Sequence, residues 1–237
     1  MTRVGIEALY VYSPEYYVDN AELAIARGKE PRHFTEGVGI KAFAMAPPNE
    51  DQASMAATAA YRLMEAHRIS PSDIFRIDTP TESGMDSSRA LVSDVIGMLE
   101  QVYGRGSLSH VLGYEQKFAC VSGMERYLDT SAWFGAKWNP RKYALILATD
   151  IAKYNLNSGE EPTQGAASAA LLIGSDARVL EIVPGELGSA LRHEMRDFKK
   201  PGARTIAMVD GAVSYASYLS EMKEAWLNFS LRCVARG

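Results

Sequence analysis

The chain has 237 residues, 47% of them apolar, a net charge of −4 and a sequence pI of about 5.7. That length suits one large domain or two small ones, and without a basic block nucleic acid is not an expected partner. No apolar run approaches the roughly 18 to 20 residues of a membrane span, and two cysteines, Cys120 and Cys233, make no disulfide framework, so the expected compartment is the reducing cytoplasm.

In chain order, Val4 to Tyr12 is β-rich and carries Glu7, which reads as a strand and not a secretion signal. Asn20 is the expected cap of a helix over 21–27 that stops at Gly28. A glycine-bearing loop follows at 37–41. Asn49-Glu-Asp-Gln signals a helix start, and the run behind it places Met55, Ala59, Leu63 and Met64 toward a core. Ile74 to Pro80 returns to strand character. Residues 87–103 have helical periodicity through Leu91, Val95 and Leu99. His110 to Ala119 is a strand candidate leading into Cys120, and 123–138 is helical. Tyr143 to Thr149 is a buried strand. Residues 166–174 and 177–183 read as a hairpin about Gly174-Ser175-Asp176. The last segment, 214–234, is an amphipathic helix with Tyr218, Met222, Trp226 and Phe229 on one stripe. Strands alternating with helices indicate α/β with a mixed sheet.

Three stretches carry chemistry. "KFACVSG" sets Cys120 between a strand and a helix start, where free amides and the helix dipole lower a thiol pKa and can hold an oxyanion. The same pattern also suits a buried structural cysteine. "DTPTESGMDSSRA" places Glu82 in a turn after a strand, either as a general base or as a solvated loop carboxylate, with Asp86 close by. "LATDIAKYNLNSGEEPTQGAASAALLIG" gathers Tyr154, Asn157, Ser158 and Thr163 into a polar loop of the kind that folds over a ligand. Arg192 to Lys200 is a local basic cluster able to hold a phosphorylated ligand. The four histidines, His33, His67, His110 and His193, have no metal-ligand spacing, so no metal site is expected.

Taken together these stretches closely resemble the 3-hydroxy-3-methylglutaryl-CoA synthase family of the thiolase superfamily. "SPEYYVDNAELAIARG" is similar to its opening segment and "NEDQASMAATAA" to its first long helix. "TES" with Asp86 resembles its catalytic-glutamate segment, and "FAC" its nucleophile segment. "ATDIAKYNLNSGEEPTQGA" is the most specific match, and "RDFKKP" and "MVDG" continue it. The resemblance implies a thiolase-like half fold, βαβαβαββ around a mixed five-stranded sheet, as a single N-terminal half over 1–237. It implies that Cys120 takes an acetyl group from acetyl-CoA and that Glu82 removes a methyl proton. The carbanion equivalent then adds to acetoacetyl-CoA, and water releases the product. Tyr154, Asn157 and Thr163 are the implied substrate-binding positions. No resident cofactor is implied, and the setting is the mevalonate route to isoprenoids.

The family also has a histidine in a His-x-Pro-Phe-like segment beyond the last helix, and none of the four histidines here matches it. The expected source is a second chain carrying the C-terminal half, in a two-plus-two heterotetramer able to contact an acetoacetyl-CoA thiolase. A fragment of a longer enzyme, a non-catalytic scaffold and a β-branching synthase for carrier-protein substrates are the alternatives. Two departures from the family pattern stand out: Ala166-Ala167-Ser168 replaces a glycine-richer run, and Arg196 stands where an aromatic is usual.

Overall fold

The computed structural model describes residues 3–194, 200 and 205–234. In chain order its elements are β1 (Gly5–Tyr12), β2 (Tyr17–Asp19), α1 (Asn20–Ala26), β3 (Ala42–Ala44), α2 (Gln52–His67), β4 (Ile74–Pro80), α3 (Val92–Tyr103), β5 (Leu112–Gln116), α4 (Ser122–Gly135), β6 (Tyr143–Ala152), β7 (Gly165–Gly174), β8 (Leu180–Glu181) and α5 (Gly211–Val234). They form two compact units, Met1–Ala152 with Glu161–Ile182, and Lys153–Glu160 with Val183–Gly237.

The first unit is built on a mixed sheet of order β5-β4-β6-β7-β1-β8, so a two-residue sixth strand joins the five expected. β5, β4 and β6 are parallel neighbours, whereas β7 runs antiparallel to both β6 and β1. Along β6 the side chains alternate: Leu145 and Leu147 enter a core shared with α2 and α3, and Ala144 and Ile146 enter one shared with Tyr127 and Phe134 of α4. Cover on both faces explains the unbroken apolar run in that strand. Met55, Ala59, Leu63 and Met64 of α2 are all fully buried, as their spacing predicts. The helix opens on a reciprocal cap in which Asp51 Oδ1 accepts from Ser54 N and Ser54 Oγ accepts from Asp51 N, both at 2.8 Å.

Several boundaries differ from the sequence-based expectation. Asn20 does not cap α1. Asp19 Oδ1 takes the amides of Ala21 and Glu22 instead, at 2.8 and 3.1 Å. Asn20 is fully buried and donates its side-chain amide to the carbonyls of Ile40 and Pro162, a task that needs N–H groups a carboxylate lacks. The helix expected from residue 87 starts at Val92, because Asp86 Oδ1 takes the amides of Ser88 and Arg89 and turns the chain there. The strand before Cys120 ends at Gln116.

The expected hairpin after β7 does not close. β7 is already paired on both edges, so it has no edge left for a returning strand. The chain crosses the end of β1, with Ala177 N on Arg3 O and Val179 N on Ile6 O, and β8 pairs with Gly5 and Ile6.

In the second unit, α5 is 24 residues long and has no buried residue. Asn228 donates to Ser189 O, Arg232 to Leu187 O, and Gly188 lies so close to Ala225 and Phe229 that a Cβ there would overlap them. Tyr218, Met222 and Trp226 remain 61, 54 and 67% exposed, whereas Phe229 of the same stripe is half-buried against Trp226 and Gly188. The RDFKKP stretch, including Arg196, lies outside the described residues apart from Lys200. No helix among the described residues is long and apolar enough to cross a membrane.

Replacing Asp51 with Ala removes the cap of α2. The expected loss is about 1 kcal/mol, read as a lower midpoint in denaturant unfolding, with Asp51→Ser close to wild type.

Candidate active site

Glu82 and Cys120 follow the C-terminal ends of β4 and β5, and Asp150 lies near the end of β6, so all three come from adjacent parallel strands. In open α/β sheets this edge is where ligands bind. Asp150, passed over in the sequence, organises it. Its Oδ1 accepts from Thr81 Oγ1 (2.8 Å), Glu82 N (2.8 Å), Ser83 N (3.0 Å) and Ser83 Oγ (2.7 Å). Ser83 O in turn accepts from Gln52 Nε2 at the start of α2, and Thr81 N donates to Gln116 O at the end of β5. The Glu82 turn is thereby tied to β5, β6 and α2. Gly84 beside it leaves room for the Glu115 carboxylate, which accepts from the Leu91 amide at 2.7 Å and would have to shift to admit a Cβ. Asp86 is exposed, and the amides of Arg89 and Ser88 hold its carboxyl below the usual range.

Cys120 sits in a tight turn, Ala119–Val121, directly before α4. Ala119 takes a φ of 41°, a left-handed conformation that costs a non-glycine residue about 1 kcal/mol or more. Cys120 is exposed, not packed in a core. The expected lowering of its pKa is not found. Partial burial pushes the thiol up, and the carboxylates of Glu82 and then Asp150 push it further. The exposed face of the cysteine lets water screen part of this effect, but burial and both carboxylates act in the same upward direction, burial first.

Thr163 belongs to the first unit, in a short turn at Glu161–Thr163 held from the N-terminal segment. Asn20 donates to Pro162 O, and Arg27 grips the buried Glu161 carboxylate through Nε (2.8 Å) and Nη2 (2.6 Å). Tyr154 and Asn157 belong to the second unit, where Asn157 adopts a left-handed φ of 59°. Among the described residues no group of three or more His, Cys, Asp or Glu side chains is placed to hold a metal ion.

Parallel strand ends carrying a cysteine turn and a glutamate turn, on a mixed sheet with helices on both faces, define an α/β protein of thiolase-like fold. Residues 1–178 match the family model described as hydroxymethylglutaryl-coenzyme A synthase N terminal, and the chain belongs to that family. The hydroxymethylglutaryl-CoA synthase of Haloferax volcanii is 37% identical over 226 residues, covering 95% of this chain and 50% of the relative. A solved structure of MvaS in complex with 3-hydroxy-3-methylglutaryl coenzyme A superimposes with a TM-score of 0.92 at 35% identity, covering 100% of this chain and 55% of that one. The HMG synthase of the curacin biosynthetic pathway, solved with an acetyl donor-ACP, gives a TM-score of 0.84 at 28% identity, covering 97% and 55%. The chain therefore spans about half the length of the relatives it matches.

Removing the Glu82 charge tests the electrostatics directly. Glu82→Gln is expected to lower the Cys120 pKa toward the ordinary thiol value, because the thiolate no longer faces that carboxylate. Alkylation of Cys120 by iodoacetamide at neutral pH then speeds up, by about two- to threefold. An unchanged pH profile means that the two groups do not interact.

Proposed function

We propose that this chain supplies the nucleophile and the general base of a hydroxymethylglutaryl-CoA synthase whose second half is carried by another chain. The observation that supports this best is the Glu82 turn, fastened by Asp150, whose carboxylate acts on the Cys120 thiol. In the first step Cys120 Sγ attacks the acetyl-CoA carbonyl, the C–S bond to CoA breaks, and CoA leaves as its thiol with the cysteine proton. Glu82 then removes a proton from the methyl group of the acetyl thioester. The carbanion equivalent forms a C–C bond to the ketone of acetoacetyl-CoA, and its oxygen is protonated. Water cleaves the enzyme thioester and restores Cys120. Tyr154, Asn157 and Thr163 border the acyl groups in this scheme. The second half brings the histidine that polarises the ketone, and two copies of each chain form the assembly, which can receive acetoacetyl-CoA from a thiolase. No resident cofactor takes part. The similarity to a synthase solved with a donor-ACP supports a second reading, in which the acyl groups arrive on a carrier-protein arm.

With labelled acetyl-CoA, the assembly is expected to carry one acetyl group on Cys120, and Cys120→Ala to carry none. Label on Cys233, or none in an active assembly, overturns the scheme. Glu82→Ala keeps acetylation but loses condensation by about 10²- to 10⁴-fold. If acetyl transfer occurs only from a charged carrier protein, the second reading replaces free acetyl-CoA.

The exposed stripe of α5 is the candidate contact for the second half, since obligate interfaces bury about 2,000 to 5,000 Å² and are apolar. Alone, the chain is expected to self-associate in sedimentation. Co-expressed with a partner bearing the histidine, it is expected to behave as a defined oligomer with synthase activity. A stable monomer that turns over both substrates unaided defeats the split arrangement.

A further inference from the structure

Strand β4 carries a bulge. Ile74 pairs with Tyr143 and Arg76 with Ala144, so Phe75 is an extra residue on the β4 side. Ile74 and Ile77 face the α2–α3 core, and the slip turns Arg76 and Asp78 toward α4. Arg76 is 1% exposed, yet it lies in the middle of a strand whose seven residues are all buried. Its Nε donates to Asp78 Oδ2 at 2.8 Å and its Nη2 to Asp129 Oδ2 of α4 at 2.6 Å. Its guanidinium lies 5.1 Å from the ring of Tyr114 on β5 and 5.4 Å from the ring of Trp133 on α4. Thr130 donates to Asp78 Oδ2, and Arg126 pairs with Asp129 at 3.3 Å, so α4 enters the cluster through Arg126, Asp129, Thr130 and Trp133. Burial pushes Asp78 up to about 6, against the pull of Arg76 and Arg126.

β4 ends at Pro80, two residues after Asp78 and two before Glu82, and α4 begins at Ser122, two residues after Cys120. We infer that the Arg76 cluster is a positioning device that holds α4 at a fixed approach to β4 and so sets how closely Cys120 meets Glu82. The inference rests on the reading of these two residues as nucleophile and base. Arg76 touches no reacting atom. It acts through two rigid elements, one bearing each group, and only a planar guanidinium can serve two carboxylates while lying between two rings. At the cysteine end of α4, Val121 and Met124 are 42 and 55% exposed, so apolar packing there is thin. Loosening the cluster lets Cys120 move away from Glu82 and Asp150, the two charges that raise its pKa.

Peptide-resolved iodoacetamide labelling of Cys120 against pH, on the protein as it purifies, reads this directly. Asp129 is 42% exposed, so Asp129→Asn leaves the core intact, and Arg76→Met tests the centre of the cluster. In both, the apparent pKa of Cys120 is expected to fall by roughly half a unit toward the ordinary value near 8.5, with labelling at neutral pH about threefold faster. Leu99→Ala on α3, buried on the opposite face of the sheet, is expected to lower the unfolding midpoint without moving that profile. Should Arg76→Met fail to fold, Asp129→Asn decides. A wild-type profile in Asp129→Asn, or an equal shift in Leu99→Ala, overturns the proposal. The labelling uses no substrate, so failure of acetyl transfer to Cys120 would be a separate result.

Discussion

Asp150 Oδ1 receives two backbone amides and two hydroxyls from the turn 81–83, and the geometry of the site depends on that one oxygen. A turn between a strand and a loop has amides with no ladder partner, and leaving them unpaired at a half-buried edge costs about 1 to 3 kcal/mol each. A carboxylate can satisfy several at once, and charge-assisted bonds are the strong ones. The consequence is electrostatic. The charge that fixes the Glu82 turn also acts on Cys120, so the arrangement that orients Glu82 makes the neighbouring thiol less acidic.

The parallel order β5-β4-β6 brings these groups together. Parallel neighbours end at the same edge, and each connection between them is a crossover through a helix. Residues 82, 120 and 150 are far apart in sequence and adjacent only through that order. α4 begins just after the cysteine turn and packs on the strand leading to the glutamate. The polar cluster around Arg76 lies between the two, beside the Phe75–Trp133–Phe134 aromatic packing. A buried charge cluster adds little net stability compared with apolar side chains, but it defines position through fixed bond directions.

Periodicity made most of the architecture legible in the sequence. The buried run of β6, the four core residues of α2 and the extent of the last helix all follow from local pattern. What was not legible depends on partners distant in the chain. Asn20 and Asp19 are equally good caps in isolation, and only the carbonyls of Ile40 and Pro162 decide between them. Gly174-Ser175-Asp176 is a fair hairpin turn, but β1 occupies the edge that a hairpin needs. Asp150 lies within the densest polar stretch and was still missed, because its role exists only once β4 lies beside β6. Arg76 reads as an interruption of a strand until the bulge at Phe75 turns it toward α4.

The raised thiol of Cys120 fits the proposed chemistry better than a depressed one would. Transfer of acetyl from CoA to a cysteine exchanges one thioester for another, so the balance depends on the relative basicity of the two thiols. A strongly acidified cysteine would be a weak nucleophile per thiolate and a good leaving group, and it would return the acetyl group to CoA. Carboxylates at the site act on only one side of that exchange. They repel the thiolate and so make it a poorer leaving group, whereas the acetyl-cysteine carries no charge for them to repel, which slows return of the acetyl group to CoA. Once the sulfur is acylated, the repulsion is gone and the nearby carboxylate can act as the base for the acetyl methyl. In the proposed scheme, the charges that slow ionisation of Cys120 also make its thiolate a poorer leaving group, so the acetyl-cysteine would persist until the step assigned to Glu82.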